Sequence, residues 1–147
     1  IVANVNLDMP ILTYKFEDLV AYGADRSSIG NVVADVAAAE GVKLSPDPAP
    51  EQASFVRTDH YSFVRAGVPS VSLEPGPAGP GKAAVDLFIK KHYHQPSDEV
   101  ELVDFAQGVR FVRINTAIAR AIADADARPL WNKGDFFGAL YHGPMAK

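Results

Sequence analysis

Ile1-Val2-Ala3-Asn4-Val5-Asn6-Leu7-Asp8-Met9 opens the chain. Its β-branched and apolar residues, interleaved with asparagines, predict a buried strand over Ile1 to Leu7. The run ends on an aspartate, where an open α/β sheet places its chemistry. Leu12 to Tyr22 predicts a second extended segment, with Phe16 to Tyr22 as its strand and Gly23 closing it. Ser27 or Ser28 is placed to cap a helix from Ile29 to about Glu40, with Gly41 as its stop. Val32, Val33, Val36 and Ala37 fall on one face of that helix, the spacing that packs on a sheet.

Downstream, Ser45-Pro46-Asp47-Pro48-Ala49-Pro50-Glu51 continues neither element and predicts a loop. Ser54 to His60 has no clear period, and Tyr61 to Ala66 reads as a short helix ended by Gly67. Val68 to Leu73 predicts a further strand, with Pro69 at its start. Three prolines and three glycines between Glu74 and Lys82 predict a flexible or lid-like loop. Asp104 is placed to cap a long helix through about Ala125. Phe105, Val109, Val112, Ile114, Ala117, Ile118, Ala121 and Ile122 form its expected packing face. The tail over 129–147 is aromatic but irregular, suited to lying across a surface or covering part of a pocket. The order predicts an α/β fold: part of a three-layer, mostly parallel sheet flanked by helices, within one domain over 1–147.

The 147 residues are 48% hydrophobic and 22% charged, enough for one real core and ordinary for a globular chain. A net charge of −4, with Lys and Arg scattered, argues against nucleic acid as a partner. No apolar run approaches the roughly 20 residues of a membrane span, so no membrane partner is expected. With no cysteine, any metal here must be held by His and carboxylate. The chain begins in a predicted strand without an initiating methionine, which leads to the expectation of a piece of a longer polypeptide.

The densest chemistry lies in His92-Tyr93-His94-Gln95-Pro96-Ser97-Asp98-Glu99. Neutral imidazole is the commonest metal ligand, and a phenol beside it suits hydrogen bonding to a developing oxyanion. Taken singly, these residues have plainer readings. Asp8 serves equally as a turn former or helix cap, His94 as a hydrogen-bonded histidine and Tyr93 as a packed aromatic. Asp59 before His60 is a favoured helix N-cap type, and Gly67-Val68-Pro69 punctuates helix and strand.

Their order carries more than any one of them. Asn-Leu-Asp-Met, then Arg57-Thr58-Asp59-His60-Tyr61-Ser62-Phe63-Val64-Arg65-Ala66-Gly67-Val68-Pro69-Ser70-Val71, then Tyr93-His94-Gln95-Pro96-Ser97-Asp98-Glu99, resemble the C-terminal portion of the dizinc aminopeptidase family. That family also holds glutamate carboxypeptidases, the transferrin receptor and glutaminyl cyclases. The likeness extends to Pro129-Leu130-Trp131-Asn132-Lys133-Gly134-Asp135-Phe136-Phe137, a tail seen in some bacterial members. It implies a truncated phosphorylase/hydrolase-like zinc exopeptidase fold, two zinc ions per intact site, a peptide substrate and a periplasmic or secreted location. By the same resemblance, Asp8 is a ligand to one zinc and His94 to the other. Tyr93 matches the tyrosine that hydrogen-bonds the tetrahedral intermediate. Met9 and Phe55 match positions lining the pocket for the substrate's N-terminal side chain. Asp59 and His60 match a motif beside the site that supports it without ligating, and Asp98 is placed to orient the His94 loop by hydrogen bonding. Zinc lowers the pKa of its bound water to about 7, giving hydroxide at neutral pH.

The family also uses a His-x-Asp pair and a Glu-Glu pair, normally upstream of Asn-x-Asp. Neither occurs here: no His has an aspartate two residues later, and no two glutamates are adjacent. One ligand per metal falls short of the usual three protein ligands of a catalytic zinc. The expectation is therefore the C-terminal part of a metallo-aminopeptidase that is inactive alone. Its expected partner is the missing N-terminal half, or another copy of itself, against an exposed sheet edge. A glutaminyl cyclase and a catalytically silent, protein-binding relative are the alternatives, and retention of Asp8, Tyr93 and His94 disfavours the silent one.

Overall fold

The computed structural model describes residues 1–147. Its centre is a four-stranded sheet of β1 (Asn4–Asn6), β2 (Asp18–Tyr22), β3 (Lys43–Ser45) and β4 (Ser70–Pro75). The spatial order is β1-β4-β2-β3. β1 runs parallel to β4 and β3 parallel to β2, whereas β2 and β4 meet antiparallel with Val20 opposite Glu74. Five α-helices accompany it, α1 (Ile29–Ala39), α2 (Tyr61–Arg65), α3 (Gly81–Lys91), α4 (Phe105–Ala123) and α5 (Phe136–Leu140), with four short 3-10 turns between elements. This is the expected α/β class, with a mixed sheet in which β1 and β4 run one way and β2 and β3 the other.

Strand alternation sorts the two faces of the sheet. Leu19, Val71 and Leu73 turn toward α1 and α4, joining Ile29, Val33, Phe111, Ile114, Ile118 and Ile122 in the main core. Phe16 meets Phe111 edge to face at 6.3 Å, and the Arg110 guanidinium covers the Phe16 ring at 4.4 Å. The opposite face carries Asn6, Ser72, Glu74, Asp18 and Tyr22, a polar set for a sheet interior. It is capped by a smaller cluster of Phe55, Val64 and Trp131, with Tyr61, Phe137 and Tyr141 against it. The apolar face makes the core, and the polar face is left for chemistry.

Several elements differ from the sequence-based expectations. Only Asn4–Asn6 of the first predicted strand joins the ladder, and Ile1 and Val2 are exposed. Ser28 precedes α1 but does not cap it, because its hydroxyl accepts from the Leu130 N–H at 3.0 Å. β3 covers Lys43 and Leu44, for which the sequence predicts no element, and Ser45, the first residue of the predicted loop; pairing with β2 supplies the order that local composition lacks. The predicted lid-like loop is shorter than expected and tied down. Gly76 N–H donates to the Asp18 carbonyl at 2.8 Å, Ala78 N–H to the Asp18 carboxyl at 3.0 Å, and the Tyr14 hydroxyl to the Gly76 carbonyl at 2.8 Å. Its last part, from Gly81, is already α3. Asp104 caps α4 as expected, accepting from the N–H groups of Ala106 and Gln107. On α4 itself, Phe105, Val109 and Val112 are exposed, and the packed stripe is Phe111, Ile114, Ile118 and Ile122.

The tail is better ordered than its composition implies. Trp131 is fully buried, bridges Ser27 and Met145, and sits beside α5, whose first turn is capped by the Asp135 carboxylate. The Arg26 guanidinium lies 5.1 Å above the Phe55 ring and 4.9 Å above Phe137, and reaches Asp135 at 3.3 Å.

Candidate functional site

Parallel pairing brings the C-terminal ends of β1 and β4 together, and the candidate site grows from that edge. Asp8 follows β1 and is half-buried. Beneath it, the Asn6 side-chain amide donates to Ser72 Oγ at 3.2 Å and to Thr58 Oγ1 at 3.5 Å. Thr58 Oγ1 in turn lies 2.5 Å from His60 Nδ1. This relay hangs the Arg-Thr-Asp-His segment against β1, the strand that leads into Asp8.

His60 is fully buried, tilted against the Phe55 ring at a centroid distance of 5.0 Å. Its Nε2 has no hydrogen-bond partner. Burial pushes its pKa below the usual imidazole value, opposed by the Phe55 carbonyl and by the charges of Asp8 and Asp59. A neutral imidazole therefore lies within the electrostatic reach of Asp8. Asp59 itself is exposed.

Glu74 was not anticipated from the sequence. It is half-buried near the end of β4 and accepts from the Tyr22 hydroxyl at 3.4 Å. Burial raises its pKa, the Tyr22 bond lowers it, and the charges of Asp8 and Asp47 raise it further. The Tyr22 phenol is pushed up to about 12, first by burial and then by Glu74. Asp8, Glu74 and Asp47 thus share one negative field.

A cleft of about 600 Å³ opens beside this edge. Met9 lines it, with φ 45° and half its surface exposed, together with Tyr22, Glu74 and the α3 residues Val85, Ile89 and Lys90. Phe55 does not share that cleft. It lines a neighbouring one of about 660 Å³ with Arg26, Leu44 and Phe137, and the two clefts meet at Val20, Tyr22 and Ser54.

The His92–Glu99 motif follows directly from α3. His92 and Tyr93 both donate their N–H groups to the Phe88 carbonyl, ending the helix. The Tyr93 and His94 rings stack at 3.9 Å, and His94 is exposed with φ 58°, a left-handed backbone uncommon for a side-chain-bearing residue. The Asp98 carboxylate makes no hydrogen bond in this structure, and its N–H donates to the Gln95 carbonyl at 3.0 Å. The loop is held by Ser97, whose carbonyl and hydroxyl lie 3.0 and 3.1 Å from His92 Nδ1.

The structure therefore gathers Asp8, Met9, His60 and Glu74 at one edge and stacks Tyr93 on His94. No three His, Asp or Glu side chains converge to hold a metal ion, so these residues do not by themselves make a metal centre. No helix is long and apolar enough to cross a membrane. The family model described as peptidase family M28 matches residues 1–119. No curated protein and no solved structure matches the chain.

Proposed function

The chain belongs to peptidase family M28, a generally zinc-dependent family of hydrolases, and from that premise we propose that it is the C-terminal part of an exopeptidase removing N-terminal residues from peptides. The observation that carries this reading is the Asn6–Thr58–His60 relay, which ties the Asp-His segment to the strand leading into Asp8 and Met9, with Met9 lining a cleft of about 600 Å³.

In the complete site, Asp8 and His94 would each hold one of two zinc ions, with the remaining ligands and the general base supplied by the rest of the catalytic domain. Zinc supplies Lewis acidity and an activated water. The chain's own residues supply position and charge. His60, neutral and buried, supports Asp8 without competing for a cation. The Tyr93 phenol donates a hydrogen bond to the oxygen that gains charge as the peptide carbonyl is attacked. Met9 borders the space for the substrate's first side chain, with Phe55 closing the adjoining cleft. A periplasmic or secreted location belongs to the same proposal, as does association with the remainder of the catalytic domain.

The test is an assay of the intact polypeptide on unblocked dipeptides and on glutaminyl peptides, with and without chelator and added zinc. Chelator-sensitive release of the first residue is the expected result. Ammonia release with ring closure of N-terminal glutamine would assign a glutaminyl cyclase instead. Peptide binding without turnover would assign a silent binding domain.

A further inference from the structure

Glu74 is a half-buried carboxylate that forms no ion pair. Its one side-chain hydrogen bond is the 3.4 Å contact from Tyr22. A carboxyl group in a cleft without a counter-charge is driven toward its neutral form, and a cationic ligand restores its charge by pairing with it. The charges felt at Glu74, those of Asp8 and Asp47, are both acidic. Across the cleft, Lys82 pairs with Asp86, and Lys90 sits on the exposed rim. The lining also includes the apolar residues Val20, Pro75, Val85 and Ile89. Such a space suits a side chain with a methylene stem and a cationic head.

We propose that Glu74 determines specificity by receiving the ammonium or guanidinium head of a lysine or arginine at the peptide's first residue, with Val20, Pro75 and Ile89 flanking the stem. The proposal rests on the exopeptidase reading only for which residue of the peptide enters the cleft. Recognition by a charge-assisted hydrogen bond inside a partly desolvated cleft discriminates a cation from its apolar isostere by about tenfold or more.

The experiment is calorimetric titration of the protein with lysinamide, norleucinamide and Nα-acetyl-lysinamide, repeated on Glu74→Gln. Glutamine keeps the shape and the bond from Tyr22, and circular dichroism checks that the variant is folded. Lysinamide is expected to bind about tenfold or more tightly than norleucinamide, Nα-acetylation to preserve that preference, and Glu74→Gln to erase it. Equal binding of lysinamide and norleucinamide by the wild-type protein overturns the proposal, as does a preference that survives in Glu74→Gln or no binding of any probe. Loss of binding on Nα-acetylation, with indifference to the side chain, also overturns it, since Glu74 would then read the peptide's amino terminus. If the lysine preference is found but the intact polypeptide hydrolyses no peptide when zinc is supplied, the peptidase reading is refuted and this one stands.

Discussion

The indole nitrogen of Trp131 donates to the Gly67 carbonyl at 2.9 Å. Gly67 ends α2 with φ 79°, so this bond stitches the tail to the turn between the Asp-His segment and β4. The tail lies beyond the residues matched by the family model, yet it closes the polar face on which the candidate site is built.

Replacing Trp131 with alanine is expected to destabilise the fold by about 3–5 kcal/mol through cavity formation. Trp131→Phe retains most of the volume and orphans the Gly67 carbonyl, with an expected loss of about 1–3 kcal/mol. Urea unfolding curves measure both. A midpoint for Trp131→Ala indistinguishable from wild type would show the tail to be dispensable.

Gly76→Ala and Gly108→Ala should move stability in opposite directions. A Cβ on Gly76 would stand 2.3 Å from the carboxyl carbon of Asp18, which is fully buried and bonded to Ser45 and Ala78. Displacing that carboxyl group costs about 1–3 kcal/mol. On Gly108, within α4, the nearest atom is a Leu12 methyl at 3.7 Å, so alanine fits and stabilises the helix by about 0.5–1 kcal/mol. Thermal melts of the two variants should bracket the wild type.

Alkaline pH offers a third measurement. Tyr14 is buried and donates to the Gly76 carbonyl at 2.8 Å; burial, then Asp18 and Glu74, push its pKa from 10.0 up to about 12. The folded state favours the neutral phenol. Its contribution is complete below the unfolded value near 10 and is lost as pH rises through about 12. Unfolding free energy should be flat approaching pH 10 and fall by up to about 2 kcal/mol from this group over the next two units. Tyr14→Phe should shallow that fall, leaving the share from Tyr22, which is raised in the same way. An unchanged slope in Tyr14→Phe would remove Tyr14 as its cause.

In the intact polypeptide, Tyr93→Phe should lower kcat by about 10²–10³ while leaving KM nearly unchanged, since the hydrogen bond strengthens only as charge develops. Asp8→Asn and His94→Ala should each reduce bound zinc below two per molecule by metal analysis. The 147-residue chain alone should show no pair of tight zinc sites by calorimetry, because no three potential ligands converge in it. Two such sites would overturn the assignment of missing ligands.

The parts legible from the sequence are those governed by local rules. Gly23 and Gly67 end their elements at positive φ, and Asp104 caps α4, because turn and cap chemistry depends on residues a few positions apart. α3 escaped notice for the same reason. It starts on Gly81 after a proline-glycine run, and its apolar residues are split between buried Phe88 and exposed Leu87 and Ile89, which blurs the helical period. On α4 two apolar stripes compete, and periodicity alone does not say which one finds a partner.

By itself, the sequence determined the α/β class, the peptidase likeness and the motifs that carry Asp8, His60, Tyr93 and His94, all through short-range spacing and residue type. Tertiary structure alone decided that β4 lies between β1 and β2, parallel to one and antiparallel to the other. That strand order sets Glu74 in the field of Asp8 and leaves it without a counter-ion. Such convergence joins residues more than sixty positions apart, and separations of that length leave no trace in the local pattern.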